Sequence, residues 1–191
     1  MTPLRLDDLG ASSKAYEWGS RHRWANVWPL HHRCLFGAWG PYRELAAWQL
    51  RAIFHAVERH GARLTVAITA CWVERDGTLT PYSHKWPDQA AVIIEWAGKG
   101  VITVAAHGRT HCVPGKHRPR WLGGNRRWHR EPGADSDIAR HQLAKDLRLP
   151  VTRYVAPGER AGTTDEVVFH DRDFVLDWDG TMRRFTKALR G

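Results

Sequence analysis

The chain has 191 residues, of which 42% are hydrophobic, so residues 1–191 are expected to form a single domain with one core. A charged share of 26% excludes a disordered chain and a coiled coil. The formal net charge of +9 favours an anionic partner such as nucleic acid, a membrane surface or an acidic polysaccharide, although freely used, scattered arginine would give the same charge.

The first half of the chain alternates strand-like and helix-like segments. Residues 3–8 predict a short strand that ends in two acidic residues. A helix is predicted to begin at Pro41 and to end at Gly61. One face of it is formed by Leu45, Trp48, Ala52, His55 and Ala56. The apolar, β-branched run 64–70 then predicts a buried strand.

The same alternation continues in the second half. The predicted segments are helix 87–98, strand 101–106, helix 136–149, strand 151–156, strand 167–169 and helix 178–189. Strands that alternate with helices indicate an α/β fold with parallel strands. In such folds the site lies at the carboxyl ends of the strands, which is where the candidate polar residues fall.

Four of these residues predict a metal site. His107 follows a strand directly, and His111 is four residues further on, so a helical turn would put both rings on one face. Asp7 and Asp8 end the first strand, where neighbouring side chains point to opposite sides. One carboxylate can then bind a metal while the other acts as a base. Two chance histidines and a solvated acidic turn are the alternatives.

The motifs together resemble the NodB-homology, or polysaccharide deacetylase, superfamily. Its first motif matches Leu6-Asp7-Asp8, and its second matches His107 and His111. A third motif that contains proline is loosely matched at 156–158, and the late histidine of the family has its candidate in His170. The stretches 64–77 and 129–131 are also similar to a subgroup linked to bacterial surface polysaccharides.

This resemblance implies a shortened or distorted (β/α) barrel with mostly parallel strands, and a hydrolase that removes an acetyl group from an N-acetylated sugar. By resemblance, Asp7 is the general base and His170 the acid that protonates the leaving amine. Asp8, His107 and His111 hold a divalent metal, with zinc expected first and nickel or cobalt as alternatives.

Two departures from the family pattern concern the base and the barrel. The third motif normally has an arginine two residues before the proline, which orients the base, but this chain has Val155 there. Arg130 and Arg172 are the candidate replacements. The interval from Gly158 to His170 is short, so the barrel is expected to be shortened or open. Its exposed edge predicts a homo-oligomer.

The residues expected to contact a carbohydrate or another N-acylated substrate are Trp72, Trp128, Arg130 and Pro157. Trp128 and Arg130 belong to a loop rich in arginine and tryptophan that can also hold nucleic acid or an anionic glycan, or simply pack as a buried lid. The alternatives to deacetylation are therefore a catalytically lapsed binding module and a hydrolase of a non-sugar C–N bond.

The sequence gives no sign of export or membrane insertion. Its three cysteines form no CxxC pair, and their odd number gives no disulfide framework. No apolar run is long enough to span a membrane, and two acidic residues interrupt the first ten positions. A cytoplasmic location is expected.

Overall fold

The structure is a computed structural model that describes residues 3–11, 44–74, 78–111, 133–157 and 165–191. Its strands are β1 (Leu4–Leu9), β2 (Leu64–Ile68), β3 (Cys71–Val73), β4 (Leu79–Pro81), β5 (Ile102–Ala106), β6 (Arg153–Tyr154) and β7 (Val167–His170). Its helices are α1 (Ala47–Arg59), α2 (Tyr82–Lys85), α3 (Pro87–Gly98), α4 (Gly133–Leu147), α5 (Asp171–Leu176) and α6 (Trp178–Leu189). Among these, no helix combines the length and apolar character of a membrane span.

Five of the strands form one parallel sheet in the order β6-β5-β2-β1-β7. The short strands β3 and β4 form a separate antiparallel pair. The predicted α/β class and the mostly parallel sheet are therefore confirmed, and the barrel stays a prediction. All five carboxyl ends point to the same edge of the sheet, because its strands are parallel.

The two faces of this sheet differ in chemistry because side chains alternate along each strand. Leu4 and Leu6 of β1 join the apolar core, together with buried residues of every helix described. Ala67, Ala105 and Val155 form a small separate cluster, which places them on the opposite face. Helices therefore cover one face, and small and polar side chains occupy the other.

Helix α1 shows both what the sequence pattern predicts and where it fails. The helix begins at Ala47, and residues 44–46 are not helical, so the predicted start at Pro41 is wrong. It ends beside Gly61, whose φ of +60° suits glycine at that position. Its buried face is instead formed by Gln49, Leu50, Ile53, Phe54 and Val57. Trp48 is 60% exposed and makes an edge-on contact with Trp178, so the expected face was assigned wrongly. Leu50 begins the apolar i, i+3, i+4, i+7 series that the core uses.

Two predicted strands are shorter in the structure. The run 64–70 stops being a strand after Ile68, and the run 151–156 keeps only Arg153–Tyr154. Thr69 N still donates to Leu9 O of β1, at 2.8 Å, but Ala70 N donates to Gly108 O, in the loop that follows β5. After Ile68 the backbone therefore pairs with a loop on that side instead of with a strand.

Candidate metal centre

Asp7 and Asp8 lie on a β-bulge near the carboxyl end of β1. Leu6 pairs with Val66 and Leu9 with Ile68, so three steps along β1 match two along β2. The backbone accommodates the extra residue at Asp8, whose φ is +72°, a conformation that aspartate tolerates better than most residues. Simple strand alternation was expected here, and the bulge is what re-aims the Asp8 side chain.

The segment from His107 to His111 is a bent loop and not the helical turn that the spacing suggested. Gly108 has a φ of +79° and His111 a φ of +47°, both in the left-handed region. Two backbone hydrogen bonds hold the loop, from Ala70 N to Gly108 O at 3.1 Å and from Cys71 N to Arg109 O at 2.8 Å. The bends leave the two imidazole centroids 4.9 Å apart.

Asp8, His107 and His111 bring one ligand atom each to within 4.8 Å of one another. Both histidine Nε2 atoms face Asp8 Oδ1, at 3.2 Å from His107 and 3.1 Å from His111. The three residues are 8%, 2% and 4% exposed, respectively. Asp8 and His111 also have backbone φ angles in the left-handed region, and such backbone strain is concentrated at functional sites. The structure therefore brings together all three predicted metal ligands.

The ring of His107 is oriented for a cation at its Nε2 atom. Its Nδ1 lies 3.0 Å from Val155 O, which can only accept, so Nδ1 carries the proton of the neutral ring. The Nε2 lone pair then points at a carboxylate oxygen, an arrangement that requires a proton or a metal ion between them. In metal sites, the ring nitrogen of histidine that does not bind the metal usually donates to a carbonyl or carboxylate, which fixes the orientation of the ring. The donor set therefore fits a divalent metal.

The pKa of each titratable group in this cluster depends on the neighbouring groups. Burial favours the neutral form of Asp8, but hydrogen bonds with His107, His111 and His170 outweigh burial and hold its pKa well below 3.8. Burial likewise disfavours the charged form of His107, whereas its hydrogen bond with Asp8 raises its pKa above 6.5. In the absence of metal, the surrounding histidines thus favour the ionised form of the Asp8 carboxyl group.

Asp7 lies next to the ligand cluster and is 3% exposed. Arg5 Nε lies 3.0 Å from Asp7 Oδ1 and 3.2 Å from Asp7 Oδ2. Burial raises the pKa of the Asp7 carboxyl above 3.8, and the positive charges of His107 and Arg5 oppose that rise. A buried carboxylate of raised pKa is a stronger base than an exposed one. Its position and charge therefore suit the predicted role of Asp7.

His170 reaches the same site from β7, where it pairs in register with Asp7. Its Nδ1 lies 2.8 Å from Asp8 Oδ2, so it contacts the candidate ligand and not the candidate base. Burial lowers the pKa of His170, but the hydrogen bond and charge of Asp8 raise it above 6.5 overall. Its side chain is 32% exposed, more than those of the three ligands.

The predicted substrate contacts receive less support. Trp72 is 3% exposed and packs edge-on against Trp86 with ring centroids 5.7 Å apart, so neither face of the Trp72 indole is open to a sugar. Pro157 is also buried. Trp128 and Arg130 lie outside the described residues.

The arginine beside the base is one that sequence reasoning missed. Arg172 was a candidate for this place, and its Nε lies 3.7 Å from Asp173 Oδ1. Arg5 lies two residues before Asp7 on β1, so both side chains emerge on the same face. Its place between two leucines, on the same face of the strand as Asp7, was the signal that could have identified it.

The cluster charges predict how the stability of the metal-free protein depends on pH. The raised pKa of His107 stabilises the fold fully below pH 6.5, and this contribution is lost as the pH rises through that pKa. The lowered pKa of Asp8 stabilises above pH 3.8 and is lost only at more acid pH. As the pH rises above about 6.5, metal-free protein should therefore lose stability, whereas zinc should stabilise more, since it binds deprotonated imidazole.

Thermal melts of chelator-treated protein across this pH range, with and without zinc, check that expectation. At free zinc of about 100 times its Kd, the gain is about 2.7 kcal/mol, or roughly 5–10 °C in Tm for a domain of this size. The exposed His141 on α4 offers a control, because its replacement by alanine should leave the zinc-induced shift unchanged. A zinc-induced rise in Tm that does not increase with pH would contradict the expected competition between zinc and protons at the histidines.

Comparison with known proteins adds no relative to this description. No family model, curated protein or solved structure gives a significant match to the chain. The resemblance to polysaccharide deacetylases accordingly rests on the motifs alone. The geometry of Asp7, Asp8, His107, His111 and His170 is the independent observation from which a function is inferred.

Proposed function

We propose that the protein is a metal-dependent hydrolase of an amide C–N bond that releases acetate from an N-acetylated sugar. One observation carries the proposal: three buried ligand atoms converge within 4.8 Å, and a second carboxylate, Asp7, adjoins them. A hydrolytic metal site needs this division between a carboxylate that binds metal and one that moves a proton.

Two imidazoles and one carboxylate are ligands typical of catalytic zinc, and they also accept nickel or cobalt. Asp8, His107 and His111 would hold the ion, and other coordination positions would stay open to water and substrate. When bound, such an ion lowers the pKa of a water molecule and polarises the carbonyl of the scissile amide.

The remaining steps belong to the side chains around the ligands. Asp7 takes a proton from the attacking water, and Arg5 keeps its carboxylate in one orientation. His170 is held through Nδ1 by Asp8, which leaves Nε2 to give a proton to the leaving amine. Its raised pKa favours the protonated ring that an acid requires.

The strand order supports a shortened barrel of the NodB type. From β1 the sheet proceeds in chain order through β2, β5 and β6, and β7 returns to the other side of β1. A (β/α) barrel has this cyclic order, with its helices outside and its site at the carboxyl ends of the strands. An opening would lie between β6 and β7, and a second copy of the chain covering that edge would give the expected homo-oligomer.

The acetylated sugar is the part of the proposal that depends on the resemblance. Hydrolysis of a non-sugar C–N bond uses the same five side chains. A lapsed module that binds nucleic acid or anionic glycan has less support, because each residue expected to act in catalysis is present at the site. That alternative depended on Trp128 and Arg130, which lie outside the described residues.

The proposed function is tested by measuring metal content and acetate release on the same preparations. Protein stripped with chelator and reloaded with zinc, nickel or cobalt should bind one ion per chain. It should release acetate from chitooligosaccharides or other N-acetylated glycans, and a panel of simple acetamides tests the non-sugar alternative. His170→Gln should keep the metal and lose turnover by about 100-fold or more, the usual contribution of an acid. Absence of stoichiometric metal would refute the proposal.

A further inference from the structure

Arg5 is a fully buried cation held between two carboxylates. It is 1% exposed, and its Nε contacts both oxygens of Asp7, at 3.0 and 3.2 Å. Its Nη1 lies 3.0 Å from Glu166 Oε2, and the Glu166 side chain is 6% exposed. One planar guanidinium thus contacts the candidate base on one edge and an anchoring acid on another.

The anchoring acid is itself fixed by neighbouring strands. Val167 N, just after Glu166, donates to Pro3 O at 2.9 Å, which ties this segment to the start of β1. Glu166 Oε1 lies 2.5 Å from Arg153 Nη2, and Arg153 Nη1 donates to Thr65 Oγ1 at 3.0 Å. Two arginines and two carboxylates therefore form a continuous row with balanced charge, which runs from β1 through the residue before β7 to β6. Paired in this way, buried charges are tolerated.

The position that carries arginine in the family pattern has a different function in this chain. Val155 is buried against Ala67 and Ala105, and its carbonyl accepts from the ring of His107. That position therefore helps to orient a metal ligand, and the guanidinium that contacts the base comes from β1 instead.

We propose that Arg5, anchored by Glu166, is the positioning residue that keeps the Asp7 carboxylate in its productive orientation. This inference rests on the proposed function for its kinetic consequence, but its structural content stands by itself. A planar guanidinium that spans two carboxylates fixes both distance and angle, which the single ammonium of lysine does not. Displacement of a catalytic group by about 1 Å lowers turnover by roughly 100-fold.

The test uses zinc-loaded, full-length protein with Arg5→Met combined with Glu166→Gln, so that a cation and an anion are removed together. We expect one zinc per chain, a KM within about threefold of wild type and a kcat lower by roughly 100-fold. Arg51→Met combined with Glu95→Gln is the matched control, because that exposed pair has a similar separation of 2.8 Å and lies on α1 and α3. The control pair should leave kcat unchanged.

Arg5→Lys covers the case in which the double variant does not fold. It keeps the buried charge, so a purely structural role predicts normal kcat, whereas positioning predicts a kcat reduced by about tenfold or more. Glu166→Gln alone retains the contact between Arg5 and Asp7 and should lower kcat by a smaller factor. A kcat within about threefold of wild type in Arg5→Lys and in the double variant would overturn the proposal.

A crystal structure of the zinc-loaded variant separates this proposal from the proposed function. We expect the Asp7 carboxylate to move by about 1 Å or to occupy several rotamers. If wild type proves inactive on every acetylated substrate while Asp7 still moves in the variant, the proposed function fails and positioning stands. An Asp7 that keeps its wild-type orientation would overturn positioning whatever the activity.

Discussion

Replacing His111 with alanine is expected to abolish both metal binding and turnover. The ring supplies one of the three ligand atoms that lie within 4.8 Å of one another, and it is 4% exposed. Loss of a group that only orients a metal ligand typically lowers metal affinity 10–100-fold. Loss of a ligand itself should therefore lower metal affinity by more than about 100-fold. Metal analysis after dialysis and isothermal titration with zinc measure this loss directly.

The control for this variant is His141→Ala on α4, where the side chain is exposed. It should bind one metal ion and turn over like wild type. His111→Ala should also lose the zinc-induced rise in Tm, because the ion stabilises only the state that binds it. A His111→Ala protein with wild-type zinc affinity would show that the ion, if present, binds elsewhere.

Asp7→Asn should abolish turnover and spare the metal. Asparagine has nearly the same shape as aspartate but accepts no proton at neutral pH, so the variant removes the base alone. General bases contribute about 100- to 10,000-fold, and kcat should fall by an amount within that range. Because Asp7 contributes no ligand atom to the cluster, zinc should still bind with one ion per chain. Steady-state kinetics and metal analysis on one preparation check both statements.

Asp179→Asn on the exposed side of α6 is the corresponding control and should leave kcat unaltered. The two substitutions at the site should differ in their effect on the metal. His111→Ala loses metal and activity together, whereas Asp7→Asn loses activity only. If Asp7→Asn retained wild-type turnover, a different group would be the base, although the metal site would be unaffected.

Much of the fold follows from local pattern. The strands at 3–8, 101–106 and 167–169 and the helices at 87–98 and 178–189 are found within one or two residues of where the pattern predicts them. Apolar periodicity and glycine or proline at the boundaries are local signals, so the sequence carries them directly. The failures are at α1, where two apolar faces are locally possible, and in the runs 64–70 and 151–156, where several strand ends are. In each case packing selects one.

The geometry of the site could be predicted only in part. The acidic pair and the two histidines were identified because each follows a predicted strand, and parallel strands bring such ends together. The bulge at Asp8 and the bent loop from His107 depend on hydrogen bonds between segments far apart in sequence. No local pattern encodes those bonds, so neither the left-handed backbone of Asp8 nor that of His111 was foreseen.

The sequence by itself determined the α/β class and the alternation of strands and helices that gives a parallel sheet. It also identified the five polar residues that lie at, or shortly after, the ends of strands. Only the tertiary structure decided that His170 contacts Asp8 instead of Asp7, and that Arg5 is the arginine beside Asp7. The physical reason is that the bulge at Asp8 and the pairing of β1 with β2 and β7 set these side-chain contacts, whereas composition and periodicity specify only which face each side chain takes. The candidate metal ligands could be named from their motifs; the partners that orient them required the assembled sheet.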